Sequence, residues 1–299
     1  MSATPAREAG RSQAPGPGVL AVTGSTGELG RRVAQRLADA GQPQRLVVRS
    51  PDRAPTLPGA TVAAADYADA AAAERALSGV DTLFMVSGAE EADRVTKHLT
   101  FIDAAVAAGV KHLVYTSFLG AAPDSTFTLA RHHYATEQHL HASGISHTIL
   151  RDNLYLDFLP MLAVDGVIRG PAGEGRVAGV ARDDVADVAV AVLGEPGRHA
   201  GQVYDLTGPF ALTLEEAAAT MTAILNRPYR YEEETVEQAY AARAHYGAPA
   251  WQVDGWVSTY TAIAHGDLAE VTDTVERVAG HPPVDFAEVL RRANPVAEA

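Results

Sequence analysis

From Val19 to Arg151, strand-like and helix-like segments alternate without a break, and that rhythm is the tightest constraint on the fold. The apolar run Val19–Thr23 reads as a buried strand, and 29–39 places Leu29, Val33 and Leu37 on one helical face. Further strands are expected at 45–48, 61–65, 81–86, 110–116 and 147–151. Helices are expected between them at 70–77, 93–108 and 129–142. In the helix 93–108, Val95, Leu99, Ile102 and Val106 are expected inward. Each helix is long enough to cross over a sheet. The pattern therefore predicts parallel strands with helices on both faces, an α/β doubly wound (Rossmann) sheet.

The rhythm changes beyond residue 151. Glycines cluster between Gly166 and Gly179, and Val185, Val188 and Val192 mark another helix. Strands are expected at 203–206 and 229–232. Thr213 and Glu216 form a capping box for a helix over 214–225. Most of 235–292 reads as helical. The expected organisation is a flexible tail over 1–17, a nucleotide-binding domain over 18–151, and a smaller, mainly helical lobe over 152–299, parts of which return to the sheet.

Composition excludes several functions. Thirty-seven acidic and 24 basic side chains give a net charge of -13. Such a surface repels phosphate backbones and anionic membranes, so neither nucleic acid nor a membrane is an expected partner. No cysteine is present, which excludes disulfides and thiolate chemistry and fits a reducing cytoplasm. No apolar run approaches the ~20 residues that span a bilayer, and 1–18 lacks the apolar core of a secretory signal.

The motif Thr23-Gly24-Ser25-Thr26-Gly27-Glu28-Leu29-Gly30 sits between the first strand and the first helix. Gly24 permits a tight turn, Gly27 lets backbone N–H groups approach a pyrophosphate, and Gly30 allows helix to pack closely on strand. The helix N-terminus adds free N–H donors and partial positive charge. The spacing is G-x-x-G-x-x-G, and its context predicts a dinucleotide site. The second strand ends at Arg49, where NAD-preferring sites carry a carboxylate for the ribose 2′-hydroxyl. A forked cation suits a 2′-phosphate, so NADP(H) is the expected cofactor, with Arg53 assisting. Position adds Asp66 and Tyr67 after the third strand, and Ser87 and Gly88 after the fourth.

With these residues in place, the chain resembles the atypical short-chain dehydrogenase/reductases of NmrA-like type, most nearly the NAD(P)H:quinone oxidoreductase type 2 and triphenylmethane reductase branch. The likeness rests on Val22–Gly30, Val47–Arg53, Ala65–Tyr67, Ala108–Ser117, Ala135–Glu137, Leu150–Tyr155, Gly173–Asp184 and Tyr204–Thr213. It implies that Asp152, Asn153, Tyr155 and Arg182 lie near the nicotinamide, and that a small-molecule acceptor such as a quinone binds between the lobes. Gln138 is expected beside the cofactor, where the branch carries lysine. Ser117 is expected to donate a hydrogen bond to an acceptor oxygen, and Tyr155 to orient the acceptor.

One departure separates the chain from ordinary alcohol dehydrogenases. Tyr134 is followed four positions later by Gln138, and a neutral amide cannot depress a tyrosine pKa by charge. An electron-poor acceptor does not need that dyad, since it takes hydride directly and is protonated by water. The expected activity is thus NADPH-dependent reduction of a quinone-like acceptor. A non-catalytic redox sensor and a biosynthetic tailoring reductase or isomerase stay open as alternatives, as does a homo-oligomeric state. His132, His133, His139 and His141 lack the carboxylates that would complete a metal site, so no metal is expected. Glu232–Glu234 reads as a solvated face.

Overall fold

The computed structural model describes residues 18–294; the expected tail at 1–17 lies outside the described residues. Ten strands run in chain order as β1 (Val19–Thr23), β2 (Gln44–Val48), β3 (Ala60–Ala64), β4 (Val80–Met85), β5 (His112–Phe118), β6 (Ser146–Asp152), β7 (Ala163–Val164), β8 (Val167–Gly170), β9 (Val203–Leu206) and β10 (Arg230–Glu233). The α-helices are α1 (Glu28–Asp39), α2 (Ala70–Leu77), α3 (Arg94–Ala107), α4 (Ala130–Ala142), α5 (Arg182–Gly194), α6 (Leu214–Leu225), α7 (Val236–Arg243), α8 (Ala250–His265), α9 (Thr274–Ala279) and α10 (Phe286–Ala293).

Seven parallel strands form the main sheet in the order β3-β2-β1-β4-β5-β6-β9. The order reverses between β1 and β4, which opens the crevice where such sheets bind ligands. Alternate residues of each strand face opposite sides. Leu20, Val22, Phe84, Val114 and Leu150 pack against α1 and α5. Ala21, Leu83, Met85, Leu113, Tyr115 and Ile149 pack against α2, α3 and α4. A third core gathers α6, α8, α10 and β8 over the segment 119–130.

The segments beyond residue 151 do not all stay apart from the sheet. β9 extends it beside β6, and α5 crosses back to pack on α1. Arg32 and Arg36 of α1 reach Asp183 and Asp187 of α5. The glycine-rich stretch that sequence left without elements holds the antiparallel pair β7–β8, and β10 joins β8 to complete a three-stranded sheet. Asp165 and Gly166 turn that hairpin, both with positive φ. Thr213 and Glu216 form the expected capping box.

The phase of α3 corrects the sequence reading. Of the four residues expected inward, Ile102 is buried, Val95 and Leu99 are intermediate, and Val106 is exposed. The buried face runs instead through Arg94, His98, Phe101, Ile102 and Ala105. Apolar periodicity missed it because two of its positions are polar residues with work in the adjoining loop.

Leu150 lies fully buried in β6, whereas Val62 is 47% exposed on the edge strand β3. Leu150→Ala is expected to cost about 2–5 kcal/mol, since it leaves a cavity in close-packed surroundings. Val62→Ala is expected to stay within about 0.5 kcal/mol. Urea unfolding of both variants checks the contrast.

Candidate active site

The turn from β1 into α1 forms the floor of a groove of about 290 Å³. Gly24 has φ +66°, a left-handed conformation that glycine adopts without strain. A Cβ at Gly30 would sit 2.4 Å from the Gly24 carbonyl group and 2.6 Å from the Thr23 oxygen, so only glycine lets α1 approach β1 this closely. The first-turn N–H groups of α1 have no partners within the helix and lie at the groove's floor. These backbone features fit a pyrophosphate.

Gly24, Thr26, Gly27, Glu28, Leu29 and Gly30 line the groove, with Arg49, Asp66, Tyr67, Ser87 and Gly88. Ser25 does not; it is fully buried, and its Oγ has no partner. Tyr67 offers its ring alone. Its hydroxyl lies 2.6 Å from Thr23 Oγ1 and donates to the Val86 carbonyl at 2.7 Å, while the ring stacks on Phe101. One Asp66 oxygen accepts from the Ala68 N–H.

The loop after β4 separates this groove from a second cavity of about 1000 Å³. Four bonds fix the loop. Thr23 Oγ1 accepts from the Val86 N–H, and Thr116 Oγ1 accepts from the Ser87 N–H. His98 Nε2 accepts from the Gly88 N–H at 2.8 Å, and Arg94 Nε donates to the Gly88 carbonyl at 2.9 Å. Ser87, Gly88, Ala89 and Arg94 line both cavities, so the two spaces meet there.

Ser117, Asp152, Asn153, Tyr155 and Arg182 all line the larger cavity. Ser117 corrects its expected role. Its hydroxyl donates to Glu137 Oε1 at 2.5 Å, and Arg151 holds the same carboxylate through bonds of 2.9 and 2.6 Å. Ser117 can therefore offer a ligand lone pairs but not its proton. Tyr155 donates to Asp152 Oδ2 at 2.6 Å, and the Arg182 guanidinium lies 4.5 Å from its ring centre. Burial pushes the Asp152 carboxyl up to about 7, against the opposing bond from Tyr155. Asn153 turns its amide inward, donating to the Leu268 carbonyl and accepting from the Leu154 N–H.

Gln138 is a second correction. It is exposed and lines neither cavity. The face of α4 that meets β5 carries His133, Thr136, Glu137 and Leu140. The polar pair four residues apart on that face is His133 and Glu137, one register before Tyr134 and Gln138. A one-residue step rotates a side chain by about 100° around a helix, enough to turn it from cavity to solvent.

Sequence reasoning also missed Arg94, His98, Glu137 and Arg151. Their signal was polar residues repeating at four-residue spacing, Arg94 with His98 and His133 with Glu137. Among the described residues, none of His132, His133, His139 and His141 joins a group able to hold a metal ion. His133 bonds Tyr115, His139 meets Asp103, and His141 meets His147.

The fold and site define a dinucleotide-binding α/β protein whose cofactor groove adjoins a larger cavity. The profile of an NAD(P)H-binding family matches residues 24–196, and the chain belongs to that family. Quinone oxidoreductase 2 of Escherichia coli is 37% identical over 278 residues, covering 90% of this chain and 96% of that protein. Its NADPH complex superposes with a TM-score of 0.83 at 35% identity, covering 92% of this chain and 99% of the other. The NAD(P)H azoreductase of Xenophilus azovorans is 36% identical over 91% of this chain and 97% of its own length. The triphenylmethane reductase of Citrobacter sp. has a TM-score of 0.81 at 30% identity, over 93% of this chain and all of that one. The chain falls within this branch, as its motifs implied, and is an NAD(P)H-dependent oxidoreductase. Among the described residues, no helix is long and apolar enough to cross a membrane.

Two predictions follow from this geometry. Gly30→Ala pushes a methyl group into the β1–α1 backbone and is expected to cost roughly 1–3 kcal/mol of stability. It is also expected to weaken dinucleotide binding, read by calorimetric titration. The second concerns pH. Asp152 holds a proton in the folded chain up to about pH 7, whereas the unfolded chain releases it near the ordinary 3.8. The folded state thus binds more protons through that window, and this contribution to stability falls as pH rises through it. Asp152→Asn removes the titration. Between pH 5 and 8 the wild type should lose roughly 2–3 kcal/mol relative to the variant. Denaturant unfolding of both proteins at the two pH values gives the difference.

Proposed function

We propose that the chain passes hydride from NADPH to a quinone or quinone-like conjugated acceptor, without a tyrosine–lysine pair. The observation carrying this reading is the commitment of the Ser117 and Tyr155 protons beside the larger cavity. Ser117 and Tyr155 both donate to buried carboxylates, and Gln138 is turned to solvent. An acceptor that takes hydride directly needs no side-chain acid at that moment. When bound, the reduced nicotinamide supplies the hydride.

The chain's own residues position and enclose. The β1–α1 turn holds the phosphates, and Arg49 faces the adenosine end of the groove. Arg49 is exposed there, and no carboxylate among the described residues pairs with it. That favours the 2′-phosphate of NADPH over the 2′-hydroxyl of NADH. Phe118, Phe127, Phe158, Trp256 and Tyr260 line the acceptor space, which at about 1000 Å³ exceeds the need of a single-ring quinone. A flat acceptor of several rings suits these walls. The Escherichia coli relative is named for quinones, the Xenophilus relative for azo compounds and the Citrobacter relative for triphenylmethane dyes, all conjugated electron acceptors.

Titration with NADPH and NADH tests the cofactor, and added quinone tests the turnover. Tighter NADPH binding is expected, with a preference that Arg49→Ala reduces by roughly tenfold, the loss of one charge-assisted contact. Rapid oxidation of NADPH by a simple or polycyclic quinone is expected. Binding without oxidation by any acceptor in a broad panel overturns the reductase and favours a redox sensor.

A further inference from the structure

Several donors around the larger cavity are engaged within the protein. Ser117 and Tyr155 donate to carboxylates, Asn153 to the Leu268 carbonyl, and Thr259 to the Gly255 carbonyl. Arg182 and Arg243 face Asp157 and Glu234. Two buried groups differ. Arg94 is 6% exposed and donates through Nε to Gly88, but its terminal nitrogens have no partner among the described residues and are not sealed from the cavity. No carboxylate among the described residues pairs with it. A buried cation without a counter-charge is costly unless a ligand completes it.

His133 is the other. Its state follows by elimination along the hydrogen bonds that link it to Arg94. The Gly88 N–H can only donate, so His98 Nε2 accepts and His98 Nδ1 carries the proton. That Nδ1–H lies 3.0 Å from Thr136 Oγ1, whose own proton goes to the His132 carbonyl, and 3.4 Å from Tyr115 Oη. The Tyr115 proton is then free for His133 Nδ1 at 3.0 Å. Burial, reinforced by the Arg94 charge, pushes the His133 pKa well below its ordinary value and keeps the ring neutral. With Nδ1 accepting, Nε2 bears the hydrogen. Nε2 has no partner among the described residues and is not sealed from the cavity that His133 lines.

We propose that the Arg94 guanidinium and the His133 Nε2–H together receive the acceptor's oxygen and stabilise the negative charge that hydride delivery leaves on it. The inference rests on the reductase reading above. The acceptor receives hydride, with both electrons of the broken C–H bond, from the reduced nicotinamide, which is thereby oxidised. A quinone becomes a hydroquinone monoanion, with its charge on oxygen, and water supplies the proton that completes the hydroquinone. The neutral imidazole acts as a hydrogen-bond donor rather than an acid. His98 and Tyr115 are positioning residues that set its tautomer.

The test uses full-length wild type, Arg94→Gln and His133→Leu, each with saturating NADPH and a series of quinones of graded electron deficiency. Both variants are expected to lower kcat/KM by roughly 100-fold for weakly electron-poor quinones, the usual effect of losing one oxyanion donor. The loss should shrink for strongly electron-poor quinones, whose reduced oxygens need less help. NADPH affinity of His133→Leu, which lies outside the cofactor groove, should stay within about twofold, and Arg94→Lys and His133→Gln, which keep a charge and a donor, should recover part of the rate. Arg94→Gln that weakens NADPH binding while kcat holds would assign Arg94 to the cofactor's phosphates and overturn the proposal. An equal fractional loss with every quinone would make the network structural and overturn it too. Wild-type turnover with unchanged variants removes this inference alone, whereas a wild type that binds NADPH and reduces no quinone removes the reductase reading as well.

Discussion

The approach of α1 to β1 at Gly30 is the contact on which the site depends. Hydrogen in place of a side chain lets the helix begin directly over the end of the strand, against the Thr23 and Gly24 carbonyls. From that position its unpaired N–H groups and partial positive charge are aimed at the crevice where the strand order reverses. Thr23, at the same strand end, also accepts from the Val86 N–H and lies within hydrogen-bond distance of the Tyr67 hydroxyl. One strand terminus therefore places the floor of the groove, its Tyr67 wall and the root of the loop after β4.

That loop links the cofactor groove to the larger cavity, and it is held by polar groups buried at a cost. His98, Arg94 and Thr116 each satisfy a backbone group of Ser87 or Gly88. A buried network of this kind is stable only when nearly every member has a partner. Here the members without protein partners face the cavity, whereas those facing inward are paired. The same ordering of bonds that rigidifies the loop fixes the tautomers of His98 and His133, so packing and chemistry share one set of contacts.

The fold was largely legible because it is written in local patterns. Apolar runs of strand length, helical faces such as Leu29-Val33-Leu37, and punctuating glycines gave every strand of the main sheet within a few residues. The hairpin β7–β8 was hidden, since its strands are short and its glycines read as loop. The inner face of α3 was misread because Arg94 and His98 carry no apolar signal. Gln138 was misplaced for a related reason: a motif transferred by spacing says nothing of the phase at which this helix meets this strand.

By itself the sequence determined the alternating α/β architecture, the dinucleotide turn at Gly24, Gly27 and Gly30, and the cation at Arg49. Each depends on residues near one another in the chain, where backbone geometry and periodicity suffice. Only the tertiary structure decided which protons are free. Ser117 loses its own to Glu137, brought from twenty residues away, and Tyr155 gives its own to an aspartate raised by burial. His133 comes to face the larger cavity because α4 lies against β5 in one rotational setting. Hydrogen-bond commitment and desolvation are properties of three-dimensional neighbours, and those neighbours are set by packing across the whole sheet.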